Sequence, residues 1–310
     1  MTVRSRVRSF PFPGSRHLSS SGAGPGLRQG LAVLGFVLTA VSVAGAQTPQ
    51  TPPSTPPNVA QEPDPDLRVN PAEPDFTLSM LPTTLRMPAR KLAFRLTHRF
   101  TRPIASGDVG DFFADLFGFD SAATVGLELR YGMWSGAQAA VLRTNDRSIQ
   151  LLSQFQLLGQ SESRRLTIDA LVAAEGLNNF SEQFSGSVGA LVSRKFGEHG
   201  AVYFEPMFVS DTNLDDPPVQ TANNTTMIGI GARFRLGTSK AYVVAEAAPR
   251  IAGYDAGVSH VSFGIERRAG GHMFQFNVSN TLAATLRQIA RGGVNSGDWY
   301  VGFNLTRRFY

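Results

Sequence analysis

From residue 83 onward the chain alternates apolar and polar residues with a period of two, and this pattern restricts its possible folds more than any other feature. In residues 91–100, Leu92 and Phe94 share one parity, whereas Arg95 and Arg99 share the other. A period of two is typical of β-strands with one apolar and one polar face. The pattern recurs, more weakly in the third and seventh cases, in about twelve segments: 91–100, 122–132, 137–144, 148–158, 164–174, 184–196, 201–209, 225–236, 240–248, 258–267, 272–280 and 298–310.

The connections between these segments alternate in length. Five are short, at 133–136, 159–163, 197–200, 237–239 and 268–271. The intervening ones are longer, at 101–120, 175–183, 210–224, 249–257 and 281–297, with 145–147 as a short exception. Outer-membrane barrels have short periplasmic turns and longer extracellular loops. We therefore predict an all-β, closed, up-and-down antiparallel transmembrane β-barrel of about 12 strands, within a range of 10–14.

The apolar faces explain why the sheet should close. No helix-period segment is available to cover them in water, whereas lipid satisfies them directly. In lipid every strand edge must be paired, which only a closed barrel achieves. The alternative is a soluble periplasmic barrel or sandwich with the apolar parity inside, which would extract without detergent.

Residues 1–46 predict a secretory signal peptide. Five arginines precede an apolar run that ends in small residues, with cleavage expected between Ala46 and Gln47. An uncleaved anchor is the alternative, but the run is short for a membrane-spanning helix. Removing these five arginines from 29 basic residues leaves 24 against 24 acidic ones, so the pI of about 9.9 gives no reason to expect nucleic-acid binding.

Residues 47–82 are predicted to form a proline-rich disordered periplasmic linker before a barrel at 83–310. Nine prolines lie between positions 48 and 76, together with five acidic residues. Such a composition favours an extended, mobile chain that buries no core. It would serve as a spacer or, alternatively, as a tether for a partner.

The C-terminal residues resemble the signal by which barrel assembly machinery recognises outer-membrane proteins. They combine a glycine, alternating apolar residues and a terminal aromatic: Gly302, Phe303, Leu305, Phe309 and Tyr310. Arg307 departs from the pattern, since it lies on the lipid-facing parity and would have to reach toward the interface.

Residues 91–132 and 298–303 carry a further resemblance, through the sequences GDVGDF at 107–112, GFDSA at 118–122, GLELRY at 126–131 and DWYVGF at 298–303. Together they resemble an uncharacterised family of bacterial outer-membrane β-barrels, a domain of unknown function, over about residues 80–310. The resemblance implies a barrel. It implies no established activity and no catalytic residue.

The polar parity supplies the candidate pore lining: Lys91, Arg95, Arg99, Glu128, Arg130, Asp169, Lys195, Arg233, Arg235, Glu246 and Glu266. Charges of both signs on facing strands could line a water-filled pore with a mild anion preference. They could equally pair across a narrow interior and seal it. The first hypothesis is a porin-like channel for hydrophilic solutes, including anionic ones; the alternative is a sealed structural or partner-binding barrel with no transport activity.

Two long connections could restrict the barrel mouth. The apolar stretch at 111–120 predicts a constriction loop or a short helix across the barrel end. The constriction would be formed by Asp111, Phe112, Phe113, Leu116 and Phe117. In 281–297, helical spacing of Leu282, Leu286 and Ile289 predicts a second cap.

We expect neither catalysis nor a cofactor. The chain has no cysteine, which excludes disulfides and thiolate metal sites. His260, Ser262 and Glu266 share a face and faintly suggest a hydrolytic set, but neighbours on one face of a strand are poorly spaced for proton transfer. Acidic residues in 210–224 could bind calcium but lack EF-hand spacing, so a hydrated loop is favoured. The expected contacts are outer-membrane lipid, lipopolysaccharide and the assembly machinery; the sequence does not predict the oligomeric state.

Overall fold

The computed structural model describes residues 69–106, 122–214 and 221–309. It contains two short helices, α1 (Leu177–Phe180) and α2 (Leu286–Arg291). Among the described residues, no helix has both the length and the apolar character needed to cross a bilayer. The strands are β1 Leu92–Pro103, β2 Ala123–Trp134, β3 Ala137–Thr144, β4 Ile149–Leu158, β5 Thr167–Gly176, β6 Glu182–Phe196, β7 Gly200–Val209, β8 Thr225–Arg235, β9 Ala241–Ala248, β10 Arg250–Gly253, β11 His260–Ala269, β12 His272–Ser279 and β13 Tyr300–Phe309.

The strands close into an antiparallel ring. Each of β1 to β8 pairs with its sequence neighbours, β13 pairs with β1, and β9 joins β8 to β11. The short β10 follows β9 after Pro249 and continues the pairing with β8, so the two occupy one position in the ring. Proline supplies no ladder N–H, which accounts for the break. The ring therefore has twelve positions, and the predicted closed barrel is confirmed.

The two faces of each strand follow the predicted parity. In β2, Leu127 and Leu129 are 49% and 53% exposed, whereas the intervening Glu128 and Arg130 are 6% and 2% exposed. The apolar face therefore points outward and the polar face points into the lumen. This arrangement suits a barrel surrounded by lipid.

The connections separate the barrel into a turn end and a loop end. At the turn end, β2 meets β3 through a turn in which Gly136 adopts φ 90°, a conformation that a residue with a side chain rarely takes. The segment predicted to start at 164 starts at Thr167 instead, so that turn is longer than expected. The loop end carries the longer connections, as predicted.

Residues 69–87 form a hairpin inside the lumen, which we call the N-terminal hairpin. Its arms meet at the Thr77–Pro82 bridge and through hydrogen bonds of 2.8 Å from Thr83 N to Phe76 O and from Leu78 N to Leu81 O. The predicted disordered linker is therefore wrong for residues 69–82, which are almost wholly buried. The proline content alone could not reveal this, because the barrel wall supplies the burial and hydrogen bonds that the segment lacks by itself. The predicted signal peptide lies outside the described residues and stays a prediction.

A second segment, residues 280–293, enters the lumen from the loop end; we call it the loop-end segment. It contains α2, whose start has a capping box formed by Thr285 and Gln288. Leu286 and Ile289 are buried in the same apolar cluster as Met80 of the N-terminal hairpin. The predicted second cap is thus present as a helix, and the two inserted segments meet inside the barrel.

Candidate functional site

The tip of the N-terminal hairpin is held by one carboxylate of the barrel wall. Glu246, on β9, accepts hydrogen bonds from the backbone N–H groups of Ser79, Met80 and Leu81 at 2.9, 2.9 and 3.1 Å. Consecutive N–H groups around a turn form a concave anion-binding nest. The His260 ring Nε2 also contacts Glu246, at 2.8 Å. Glu246 therefore fixes the depth to which the hairpin enters the lumen.

Wall side chains also bind the hairpin's carbonyl groups. Arg233 donates to Thr77 O at 2.6 Å, and Asn304 donates to Ser79 O at 2.8 Å. Further donors are Arg95 to Ser79 O, Gln275 to Leu78 O, Arg308 to Pro74 O, Gln154 to Thr83 O and Gln138 to Leu85 O, at 2.5–3.1 Å. Buried backbone groups need partners, and here the wall provides them along much of the hairpin.

Fewer contacts involve the hairpin's polar side chains, and they lie toward the turn end. Arg86 forms an ion pair of 2.8 Å with Asp169 on β5. Glu73 lies 3.5 Å from the Lys195 ammonium group. The hydroxyl oxygens of Thr84 and Ser193 are 2.5 Å apart. These contacts hold the two arms close to where the hairpin enters.

Two wall glycines make room for two hairpin leucines. A Cβ added at Gly231 would collide with Leu78 Cδ1, and one added at Gly229 would lie 3.1 Å from Leu81 Cδ1. Both glycines lie on β8 at lumen-facing positions, and both leucines are fully buried. The wall is therefore shaped to the hairpin as well as bonded to it.

The wall has its own ion pairs around the hairpin. Arg233 and Glu266 form two hydrogen bonds, of 2.7 and 2.9 Å, with both side chains fully buried. Glu128 and Arg130, two residues apart on β2, are joined at 2.8 Å. Since an uncompensated buried charge is costly, these pairs keep the lumen wall neutral locally.

The structure brings nine of the eleven predicted lining residues into the lumen: Arg95, Arg99, Glu128, Arg130, Asp169, Lys195, Arg233, Glu246 and Glu266. Lys91 lies half-buried at the turn-end rim, before β1. Arg235 has the lumen-facing parity but lies at the last position of β8, where it bonds to Glu198 and to the carbonyls of Thr238 and Ser239 at the turn end. The strand parity assigns the two faces of the sheet correctly, but at a strand end a side chain can bond to the adjacent turns instead of lining the lumen.

Sequence analysis missed the uncharged part of the site. Four of the missed residues are polar side chains that bind the hairpin: Gln138, Gln154, Gln275 and Asn304. All lie on the polar parity, as do Gly229 and Gly231. The alternation itself could have found them, but selecting charged residues alone excluded them.

Little free volume remains between the two inserted segments. A cavity of about 20 Å³, about the size of one water, lies between the hairpin, α2 and the wall near Arg95, Glu128 and Leu286. At the loop end a wider pocket of about 420 Å³ is lined by Thr124, Asp146, Tyr254, Leu282, Gln288 and Arg291, among others. The described residues therefore leave a vestibule at the loop end and a filled lumen below it.

The sequence groups His260 with Ser262 and Glu266, but the hydrogen bonds of its ring go to other residues. The His260 ring contacts Glu246 through Nε2, and Thr281 through Nδ1 at 2.7 Å. It thus joins the N-terminal hairpin, through Glu246, to the loop-end segment. Within the described ranges no group of three potential metal-ligating residues is found. In the loop considered for calcium binding, the Asn223 amide donates to the Asp211 carboxylate at 2.6 Å.

Arg287 of α2 joins the loop-end segment to the β7–β8 connection and to the start of β6. It donates to Asp211 O at 2.8 Å and to Gln183 O at 2.7 Å. Burial lowers the pKa of the Arg287 guanidinium from its usual value, and the negative charge of nearby Glu175 opposes this.

The predicted constriction residues 111–117 lie outside the described residues, as does Tyr310 of the C-terminal signal. The other C-terminal positions lie on β13, with Phe303, Leu305 and Phe309 on the outward parity. Arg307 lies over the Phe309 ring and donates to Gly270 O at 2.6 Å, so its side chain does reach the turn-end rim as expected.

Comparison with curated proteins and solved structures gives only weak similarities. No curated protein matches the chain. A mutant of the Rhodopseudomonas blastica porin is similar at 14% identity and a TM-score of 0.31, over 60% of this chain and 55% of that porin. The chain thus spans little more than half the length of that porin. NanC porin is similar at 9% identity and a TM-score of 0.47, over 71% of this chain and 100% of NanC. At these values neither likeness supports a conclusion about what the chain does.

Comparison with protein-family models identifies the family of the chain. The model described as "Membrane bound beta barrel domain (DUF5777)" matches residues 75–309. The matched range begins within the N-terminal hairpin and ends with β13, so it includes most of the inserted hairpin as well as the wall. The chain belongs to this family of membrane-bound β-barrels, a domain of unknown function.

Proposed function

We propose that this protein is an outer-membrane channel that its own N-terminal hairpin closes from within. The observation that carries the proposal is the topology of the hairpin. Its tip lies at Glu246, while Glu73 on one arm and Arg86 on the other contact side chains near the turn end. Because both arms lead to the same end, the hairpin can withdraw without being threaded through the barrel.

The closed lumen also contains polar groups that only an open lumen would hydrate. Glu205 on β7 is fully buried, and both of its carboxylate oxygens lack a hydrogen-bond partner among the described residues. An unpartnered buried carboxyl group is costly. Water that enters after the hairpin withdraws would hydrate this carboxyl group, which lowers the cost of opening.

The solutes proposed are small, hydrophilic and preferably anionic. Withdrawal of the hairpin removes the acidic Glu73 and Asp75 from the lumen, and Lys195 loses its carboxylate partner. The wall then keeps the arginines that had bound hairpin carbonyls, such as Arg233 and Arg308. Guanidinium groups that line a narrow lumen favour anions.

The same proposal fixes the orientation. After signal-peptide cleavage, the turn end would face the periplasm and the loop end the outside. Lipid and lipopolysaccharide would surround the apolar face. The barrel assembly machinery would recognise the C-terminal signal on β13. We expect no cofactor and no catalytic reaction.

A sealed structural or partner-binding barrel is the second candidate. The observation in its favour is the extent of filling, because Leu78 and Leu81 are fully buried and α2 closes the lumen from the other end. In that case the loops and the N-terminal region would bind partners and the hairpin would never leave.

A reversible cross-link tests the channel proposal. Thr84 lies on the hairpin and Ser193 on the wall, with their hydroxyl oxygens 2.5 Å apart. The native chain has no cysteine, so Thr84→Cys combined with Ser193→Cys can form a single disulfide. The chain would be refolded in detergent and measured in planar bilayers under a salt gradient, with Ser193→Cys alone as the matched control.

We expect discrete openings from the wild type and the control, none from the oxidised pair, and recovery of openings on reduction. A reversal potential of the sign expected for anions would support the solute class. Heat-shifted gel mobility would show that each variant is folded. If folded wild type and reduced pair are both silent, the channel proposal is wrong and the sealed barrel replaces it.

A further inference from the structure

The wall recognises the N-terminal hairpin mainly as a polypeptide main chain. Twelve hydrogen bonds of the described residues join wall side chains to main-chain atoms of the hairpin, and they come from eight wall residues: Arg95, Gln138, Gln154, Arg233, Glu246, Gln275, Asn304 and Arg308. Main-chain bonds supply affinity that depends little on sequence, while side-chain pockets supply specificity. The lumen therefore has the contact pattern of a peptide-binding site.

The hydrogen bonds of Glu246 match a peptide turn in particular. Its carboxylate accepts from three consecutive backbone N–H groups, of Ser79, Met80 and Leu81. An inorganic anion has no such row of donors, and a sugar lacks the alternating N–H and C=O groups of a main chain. Around it, Arg95 and Asn304 both donate to Ser79 O, so one peptide unit is bound on both its N–H and its C=O.

Near the tip, two small pockets receive apolar side chains of the hairpin. Leu78 packs with Ala201, Tyr203 and Val244 in the space that Gly231 leaves open. Leu81 lies against Gly229 and joins the cluster that contains Met207 and Met227. Met80 packs with α2 and accepts a hydrogen bond from Arg99 at 2.8 Å, whereas the buried Ser79 hydroxyl has no hydrogen-bond partner among the described residues.

We propose that the lumen is a binding site for polypeptide segments, and that the N-terminal hairpin is its intramolecular ligand. When the hairpin withdraws, a segment of another chain can take its place from the turn end. That segment would form a tight turn with three free N–H groups, flanked by apolar residues at the positions of Leu78 and Leu81. The inference rests on the proposed channel function, because it requires the hairpin to leave.

The experiment separates the hairpin from the wall after folding. Pro88, Ala89 and Arg90, between the hairpin and β1, are exposed. A protease recognition sequence inserted between Ala89 and Arg90 allows the full chain to be refolded first and then cut. Exchange of the cut segment with a fluorescent synthetic peptide of residues 69–89 would be followed by anisotropy, and conductance would be recorded in parallel.

Two peptides that differ at one residue provide the decisive comparison. Ser79→Ala removes only an unpartnered hydroxyl and should compete within about threefold of the native peptide. Ser79→Pro removes one N–H that Glu246 accepts, while the second position of a turn otherwise favours proline. It should compete at least tenfold more weakly. Sulfate and sucrose, which lack a peptide main chain, should not displace the labelled peptide.

The outcomes distinguish the two proposals. Exchange with the Ala/Pro difference, and block of conductance by added peptide, supports the peptide site. Conductance after cutting with no peptide binding, or with equal binding of both peptides, overturns it and leaves the channel in place. No conductance and no exchange after complete cutting, in protein that retains its heat-shifted mobility, overturns both.

Discussion

The N-terminal hairpin and the loop-end segment occupy the same lumen, but they are stabilised differently. The hairpin has little regular structure of its own beyond the bridge between Thr77 and Pro82. Its backbone groups depend on the wall, above all on Glu246. The loop-end segment instead forms a helix capped by its own Thr285 and Gln288, and the wall residue Gln150 accepts a further hydrogen bond of 2.8 Å from Leu286 N.

Their attachments differ as well. Arg287 of α2 bonds to carbonyls at the start of β6 and in the β7–β8 connection, and Gln288 donates to Asp146 at 3.1 Å. The loop-end segment is thus tied to the rim, whereas the hairpin is tied to the barrel wall. A segment that takes most of its hydrogen bonds from the wall behaves as a bound ligand. A segment that forms its own capped helix behaves as part of the scaffold. The comparison therefore predicts that changes in the wall release the hairpin and leave α2 in place.

The largest effect is expected from Glu246→Gln. The amide keeps one acceptor oxygen, so at least one of the three backbone N–H groups now bonded to Glu246 loses its partner and the others lose a charged acceptor. At ~1–3 kcal/mol for each unsatisfied buried group, closure should weaken by about 3 kcal/mol, or roughly 100-fold in the open fraction. Open probability in planar bilayers measures the change.

The matched control for that variant is Glu198→Gln. Glu198 is a glutamate in the exposed β6–β7 turn that pairs with Arg235 at 3.2 Å and makes no contact with the hairpin. It should leave open probability unchanged. An equal increase in both variants would mean that net charge, rather than the nest, governs closure.

The next largest effect is expected from Gly231→Val, which leaves every charge in place. The new side chain overlaps Leu78, and overpacking of this kind costs about 1–3 kcal/mol. The open fraction should rise about tenfold. Adding Leu78→Ala should remove part of that gain, so that the double variant opens less than the sum of the two single effects predicts.

Gly297→Ala is the control for the glycine variant, because no atom lies near the position of its added Cβ. Strict additivity of Gly231→Val and Leu78→Ala would show that the two residues do not meet in the closed state, and the glycine-shaped pocket would be wrong.

The sequence predicts the wall far better than its contents, and the reason is physical. Alternation in β2 or β13 is a local pattern imposed by lipid on one side, so it can be read without knowing any partner. The hairpin has no such pattern. Its order comes from contacts such as Ser79 with Glu246, which are 167 positions apart. Composition alone therefore assigned it to a disordered linker.

The loop-end segment lies between these cases. Leu282, Leu286 and Ile289 have helical spacing, which predicted a cap, and Thr285 with Gln288 supplies a local start signal. What the sequence could not predict is that the helix turns into the lumen and meets Met80, since that depends on the space left above the hairpin tip.

A smaller effect is expected from His260→Leu, which removes the contact shared by both segments. The ring bonds to Glu246 on one side and to Thr281 on the other. Each lost hydrogen bond is worth about 1 kcal/mol, so amide exchange should accelerate roughly fivefold at Met80 and at Ile289. Hydrogen exchange of the refolded protein tests this, with His199→Gln in an exposed turn as the control. Acceleration at only one of the two amides would show that His260 does not couple them.

The smallest effect, and the sharpest test of the comparison, is expected from Thr285→Ala. The substitution removes the side chain that accepts from Gln288 N at 3.2 Å and should cost about 1 kcal/mol of α2 stability. Exchange at Gln288 and Ile289 should accelerate about fivefold, while Ser79, Met80 and Leu81 change less than twofold. If the hairpin amides accelerate as much as those of α2, the two segments open as one unit. The hairpin would then share the scaffold's stability, and it could not leave the lumen while α2 stays folded.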